Sequence, residues 1–70
     1  MQTLIFNTTT KTVILFEGSA NVTKVLQKLS DIPTVKIYDR FYEVVQKNQS
    51  DKIFPVLRVP ICNTNMIIER

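Results

Sequence analysis

The amino-acid sequence predicts a small α+β domain in which one helix packs on one face of an antiparallel sheet. Short runs rich in β-branched and aromatic residues alternate with polar links, which is typical of strands and hairpins. One segment in the first half of the chain instead carries apolar residues at helical spacing, so the element order is β-β-α-β-β-β. The 70 residues are short enough that we expect a single domain, 1–70.

A β-hairpin is predicted at the start of the chain. Residues 3–7 and 12–17 are two runs rich in β-branched and apolar residues, and the polar residues between them form the link. The second run is apolar without alternation over residues 12–16. This pattern predicts a strand that is buried on both faces, or one whose outer face meets a partner.

A helix that follows Gly18 and runs to about Ser30 is predicted. Gly18 is the only glycine of the chain, and we place it at a strand-to-helix corner that needs unusual backbone dihedrals. Ser19 or Asn21 would cap the helix, and Pro33 would stop it. The predicted helix packs on the sheet through apolar residues three and four positions apart: Val22, Val25, Leu26, Leu29 and Ile32.

The second half of the chain is predicted to be extended. Residues 34–46 form a long extended segment, residues 47–51 a turn, and residues 52–61 the next strand. Pro55 and Pro60 lie within that strand, so we expect a sheet edge, a bulge or a backbone donor position that points to solvent. A tight turn at residues 63–65 and a short closing strand at residues 66–69 complete the order.

The hairpin around residues 47–51 defines the candidate binding face once a register is assumed. We assume that Val45 lies opposite Ile53 and Phe41 opposite Leu57; a slip by one residue would exchange the faces of one strand. Side chains alternate across a strand, so one face would pack on the helix while the other stays uncovered. The expected core face carries Val35, Ile37, Phe41, Val45, Ile53, Leu57, Val59 and Ile61.

The uncovered face combines aromatic, basic and aliphatic side chains. Because aromatic residues and arginine are enriched in the cores of interfaces, we expect this face to bind a second copy of the chain or another protein. The predicted partner-binding residues are Tyr38, Arg40, Tyr42, Phe54, Val56 and Arg58.

Two other interpretations of the same face remain open. It could be an ordinary solvated sheet face, or it could bind nucleic acid, because bases stack on aromatic rings and phosphates meet cations. The nucleic-acid interpretation uses Lys36, Tyr38, Arg40, Tyr42 and Arg58. In the assumed register Arg40 lies opposite Arg58, and such a like-charge pair is unfavourable.

The composition argues against an enzyme, a cofactor and a metal site. The chain has no histidine, one cysteine and one glycine, so neither a nucleophile with its base nor a glycine-rich phosphate loop can be assembled. We expect Cys62 to be a buried, small apolar side chain. The predicted function is therefore that of a non-enzymatic interaction or regulatory module.

Charge, hydropathy and size limit the partners, the cellular compartment and the oligomeric state that we expect. The net charge of +3 permits contact with nucleic acid but does not demand it. Apolar runs are too short to span a membrane, and the single cysteine without a visible leader predicts a reducing, cytoplasmic compartment. A core this small is marginal for an isolated chain, which favours a homo-oligomer.

Overall fold

The computed structural model describes residues 1–19 and 22–70 and shows two β-sheets that pack face to face. The four-stranded sheet has the order β3-β2-β1-β7, and the three-stranded sheet has the order β4-β5-β6. No helix in these residues is long and apolar enough to cross a membrane. The elements are β1 (Gln2–Asn7), β2 (Thr12–Ser19), β3 (Val22–Leu29), β4 (Thr34–Ile37), β5 (Phe41–Lys47), β6 (Ile53–Pro60), the short 3-10 helix η1 (Ile61–Asn63) and β7 (Thr64–Glu69).

The α+β prediction is wrong, because the segment expected to be a helix is strand β3, which pairs antiparallel with β2. The register shifts along this pair, so that Val25 faces Phe16 and Gln27 faces Leu15. One extra residue, Leu26, therefore sits in a β-bulge. The bulge lets Leu26 and Leu29, three positions apart, both pack against the core. A bulged strand thus reproduces the spacing that predicted a helix.

Gly18 and Ser19 lie in strand β2 rather than at the start of a helix. Gly18 lies within β2 rather than at a strand-to-helix corner, and its φ of 144° belongs to a region that only glycine occupies readily. The expected need for unusual dihedrals is confirmed, although its structural reason differs. Ser19 is the last residue of β2, while Asn21 lies outside the described residues.

The first hairpin is confirmed, but the sheet that contains it is not purely antiparallel. β1 and β2 pair from Gln2 opposite Glu17 to Asn7 opposite Thr12. The Asn7 side-chain oxygen accepts hydrogen bonds from the backbone N–H groups of Thr9 and Thr10, both at 3.0 Å, which stabilises the turn. On its other side β1 pairs with β7 in parallel. The predicted closing strand therefore exists and begins at Thr64.

The extended segment over residues 34–46 is two strands, because the chain reverses direction at residues 38–40. The Tyr38 N–H donates to the Phe41 carbonyl at 3.0 Å, and Val35 then lies opposite Val44. This reversal exchanges the two faces of β5 relative to the prediction. Val44 faces inward and Phe41 faces outward, while Val45 is buried as expected, at 1% exposed.

The predicted turn at residues 47–51 is confirmed, whereas the assumed register beyond it is wrong. Val45 lies opposite Pro55, and Glu43 lies opposite Arg58. An oppositely charged pair therefore occupies the place where two arginines were expected to meet. The edge position and bulge predicted from the prolines are both present, since β6 borders its sheet and Val56 is the extra residue in a register shift.

Both sheets contribute to one core, and a short connection holds them together. Ile32 follows β3, is fully buried in the core, and donates its N–H to the Lys11 carbonyl at 2.9 Å. The preceding Asp31 carbonyl accepts from the Lys47 N–H at 3.2 Å. This connection thus joins the β1–β2 turn to the end of β5. The buried apolar residues are Leu4, Phe6, Val13, Leu15, Ile32, Val35, Val44, Val45 and Val59, and all of them except Val45 form one contiguous core.

Candidate interaction surfaces

The sandwich has two outer faces, and they differ in chemistry. On the four-stranded sheet, Leu4 and Leu15 point into the core, so their neighbours along each strand point outward. On the three-stranded sheet, Val44 and Val59 point inward, so Glu43 and Arg58 point outward. Each outer face is a candidate binding surface.

The outer face of the four-stranded sheet is apolar across all four strands. Ile5 lies between Ile14 and Ile67 on the neighbouring strands, and Phe16 lies opposite Val25. Val25 is 54% exposed and Ile67 is 40% exposed, while the other three are half-buried. We call these five residues the outer apolar face.

Strand β2 explains why this face is unusual. Its residues Val13 and Leu15 fill the core, while Ile14 and Phe16 belong to the outer apolar face. A strand with both faces apolar is typical of a sheet that is covered on both sides. Ile14 and Phe16 are only half-buried in the described part of the chain, so the strand is not fully buried on both faces; a partner on its outer face stays a prediction.

The outer face of the three-stranded sheet carries an aromatic and charged cluster. The rings of Tyr38 and Phe41 stack with centroids 4.8 Å apart and an interplanar angle of 28°. The Arg58 guanidinium lies 5.3 Å from the centroid of the Phe41 ring, within cation–π range. Arg58 Nε also donates to Glu43 Oε2 at 2.8 Å. We call these four residues the aromatic–arginine cluster.

The cluster compensates its own charge. Glu43 is buried, and its carboxylate is matched by the Arg58 guanidinium, which is 62% exposed. An anionic ligand would therefore compete with an existing charge-assisted hydrogen bond. Lys36 lies opposite Glu43 on β4 and adds a second positive charge on the same face.

The structure separates the residues that were predicted to share one binding face. Tyr38 and Arg58 come together around Phe41, whereas Tyr42 and Val56 pack against the core. The remaining predicted residues are exposed. Lys36 lies on the same face as the cluster, opposite Glu43, while Arg40 lies in the β4–β5 turn and Phe54 on β6.

Sequence reasoning missed Phe41 and Glu43 of the cluster and all of the outer apolar face except its β2 residues. Phe41 and Glu43 were assigned inward because the reversal at residues 38–40 was treated as extended chain. Val25 was assigned to a helix, and Ile67 to a closing strand without a known neighbour. The unbroken apolar run at residues 12–16 was the one signal that pointed to this face.

Other chemically active side chains include a cysteine, the possible metal ligands and one ion pair. Cys62 is exposed in η1 rather than buried as expected. Within residues 1–19 and 22–70, no group of three or more His, Cys, Asp and Glu side chains is placed to hold a metal ion. An open cleft of about 490 Å³ beside the β5–β6 turn contains Lys47 and Asp51, whose Nζ and Oδ1 atoms pair at 3.3 Å.

Comparison with protein-family models, with curated proteins and with solved structures found no match to this chain.

Proposed function

We propose that this protein is a non-enzymatic interaction module that self-associates by packing its outer apolar face against the same face of a second copy. The observation that carries the proposal is that the two central strands of the larger sheet are apolar on both sides. Leu4 and Leu15 fill the core, and Ile5 and Ile14 lie on the opposite side. Covering these outward side chains removes apolar surface from water and favours association.

The chain exposes more surface than a compact monomer of its mass, which favours burial against a second copy. Its accessible surface is 4975 Å², whereas a compact monomer of this mass exposes about 4,500 Å². The radius of gyration is 12.0 Å, against about 11 Å for a compact chain of this length. A standard interface covers about 800 Å² on each partner, so one such contact would more than offset the excess.

A second copy fits this face better than an unrelated charged ligand. Lys28 lies on the outer side of β3, opposite Ile14, and Glu69 lies on the outer side of β7, opposite Asn7. The two charges thus border the outer apolar face on opposite sides. In a face-to-face dimer, a two-fold axis can lie between the two faces and run along the strands. It then brings the basic border of one copy towards the acidic border of the other.

The nucleic-acid alternative has less support from the geometry. It depends on the aromatic–arginine cluster, where Tyr38 and Phe41 offer stacked rings. Their exposed cation is already paired with Glu43, and Tyr42, which the alternative also needs, packs against the core. Self-association is therefore the function that we carry forward.

Light scattering after gel filtration, over about a hundredfold range of concentration, tests the proposal. We expect the mass of the wild-type chain to exceed that of a monomer and to fall on dilution. Val25→Lys places a charge in the proposed contact, so it should raise the dissociation constant about tenfold or more. Ile37→Lys is the matched control, because it adds the same charge at an exposed position of the other sheet.

Two results would contradict the proposal. One is a wild-type chain that stays monomeric over the whole range. The other is a Val25→Lys chain that associates as strongly as the Ile37→Lys control. Far-UV circular dichroism of both variants checks that the strand content is unchanged.

A further inference from the structure

We infer that a second copy also adds to the free edge of β7, so that the two four-stranded sheets join into one continuous eight-stranded sheet. This seam is separate from the face contact proposed above and does not require it. The inference begins with the four edges of the sandwich, β3 and β7 in one sheet and β4 and β6 in the other. An exposed edge strand offers unpaired backbone groups that can pair with another chain.

Three of the four edges carry features that hinder such pairing. β3 is interrupted by the bulge at Leu26, β4 is only four residues long, and β6 contains Pro55 and a bulge at Val56. Bulges, short length and proline are the common means by which proteins protect their edges. These strands are therefore poor templates for another chain.

The β7 edge lacks each of these features. Its six residues, Thr64–Glu69, include no proline, glycine or lysine, and they pair with β1 without a register shift. Within the described part of the chain β1 is its only strand neighbour. Ile68 lies at this edge and is 57% exposed, although it pairs with the inward-facing Phe6. An aliphatic side chain on the core side thus remains open to solvent.

The backbone geometry shows which groups are free. The Thr8 N–H donates to the Glu69 carbonyl at 2.9 Å, so Glu69 directs its backbone groups towards β1. Alternation along a strand gives Asn65 and Ile67 the same direction. The N–H and C=O groups of Met66 and Ile68 therefore point to the free edge, whereas the Thr64 N–H donates to the Ile61 carbonyl.

One antiparallel register matches the side chains best. With Ile67 opposite Ile67 of the second copy, Met66 lies opposite Ile68, and Asn65 lies opposite Glu69. Apolar residues then meet apolar ones and an amide meets a carboxylate, which are favourable cross-strand pairs. Met66 and Ile68 exchange backbone hydrogen bonds across the seam. A two-fold axis at Ile67 also places the two outer apolar faces side by side on one surface.

The test uses a Val25→Lys background, in which the face contact is weakened. We expect this variant to form a dimer through β7. Adding Ile68→Pro should convert it to a monomer, because proline removes the outward N–H of residue 68 while the bonds to β1 remain. Adding Ile68→Ala instead keeps that N–H, so the dimer should persist. Ile68→Lys is a second blocking change that leaves the backbone intact.

Exposed Cys62 provides a test of the register without any introduced cysteine. The distance between spin labels on the two copies depends on where the two-fold axis crosses β7, because Cys62 lies at a fixed position just before this strand. Moving the axis from Ile67 to Met66 would shorten the distance by roughly 7 Å, at about 3.3 Å per residue on each copy.

The outcomes separate the seam from the face contact. A monomeric Val25→Lys chain, or a dimer that persists in both Ile68→Pro and Ile68→Lys, would overturn the edge pairing. Ile68→Pro in the otherwise unchanged chain should still associate through the outer apolar face. If it associates and Val25→Lys does not, the face contact stands and the seam fails.

Discussion

Replacing Ile32 by valine should lower the free energy of unfolding by about 1 kcal/mol. Ile32 lies in the connection between the two sheets, is 0% exposed, and packs with core residues of both. Removing one methyl group from such a site costs about 0.5–1.5 kcal/mol, including the cavity left behind. The backbone hydrogen bond to Lys11 limits how far the connection can move inward, so the loss should not be relieved by collapse.

Valine is a more informative replacement than alanine. Ile→Ala at a buried site costs about 2–5 kcal/mol, and a 70-residue domain is stable by only about 3.5–10 kcal/mol in total. The alanine variant could therefore be largely unfolded, which would leave no transition to measure. Valine keeps the chain folded and the change measurable.

Urea unfolding followed by circular dichroism measures the effect. With an m-value of about 1 kcal/mol/M for a small domain, the midpoint should fall by about 1 M. Ile37→Val is the matched control, because Ile37 is 64% exposed and should change the stability by less than about 0.5 kcal/mol. Both variants are compared at one protein concentration, since association adds to apparent stability.

Equal midpoints for the two valine variants would refute the reasoning. Residue 32 would then contribute no more packing than a surface isoleucine. The connection would not be inserted between the sheets, and the common core of the two sheets would be wrong. A fall in the m-value without a change in stability would instead indicate that the compactness of the native or the denatured state has changed.

Two further substitutions test individual features of the backbone and core. Thr64→Val should raise the free energy of unfolding by about 1 kcal/mol, because the buried Thr64 hydroxyl has no hydrogen-bond partner in the structure; a loss of stability in urea unfolding would show that the hydroxyl is satisfied. Gly18→Ala should lower it by about 1–3 kcal/mol, because a Cβ atom is strongly disfavoured at φ 144°; an unchanged thermal midpoint would show that this dihedral is not required.

The strands that could be predicted are those with local signals. β1 and β2 combine β-branched residues with a polar turn that Asn7 stabilises through its own side chain. The β5–β6 turn is likewise held by Asn48, whose side-chain oxygen accepts from the Ser50 and Lys52 N–H groups. These features depend on residues close in sequence, so they are visible without the fold.

Strand β3 could not be predicted because its conformation depends on its neighbour. Leu26 and Leu29 share the inward face only because Leu26 is itself the extra residue of a bulge between Val25 and Gln27. In the sequence the same spacing is that of an amphipathic helix. Pairing with the doubly apolar β2 supplies the hydrogen bonds and the packing that favour the strand, and this interaction is not encoded within residues 22–29 alone.

The candidate surfaces could likewise be predicted only where they depend on residues close together in the sequence. The apolar run of β2 signalled an outer contact, because Ile14 and Phe16 alternate with core residues in one short segment. The rest of the outer apolar face requires β7 to lie beside β1, which brings Ile67 next to Ile5 from the opposite end of the chain. The same parallel pairing makes β7 an edge strand. The pairing of β1 with β7 therefore both extends the outer apolar face and places an unpaired strand edge beside it. A contact on the face and a contact at the edge are therefore expected to reinforce each other in the assembled protein, because both stabilise the same placement of β7.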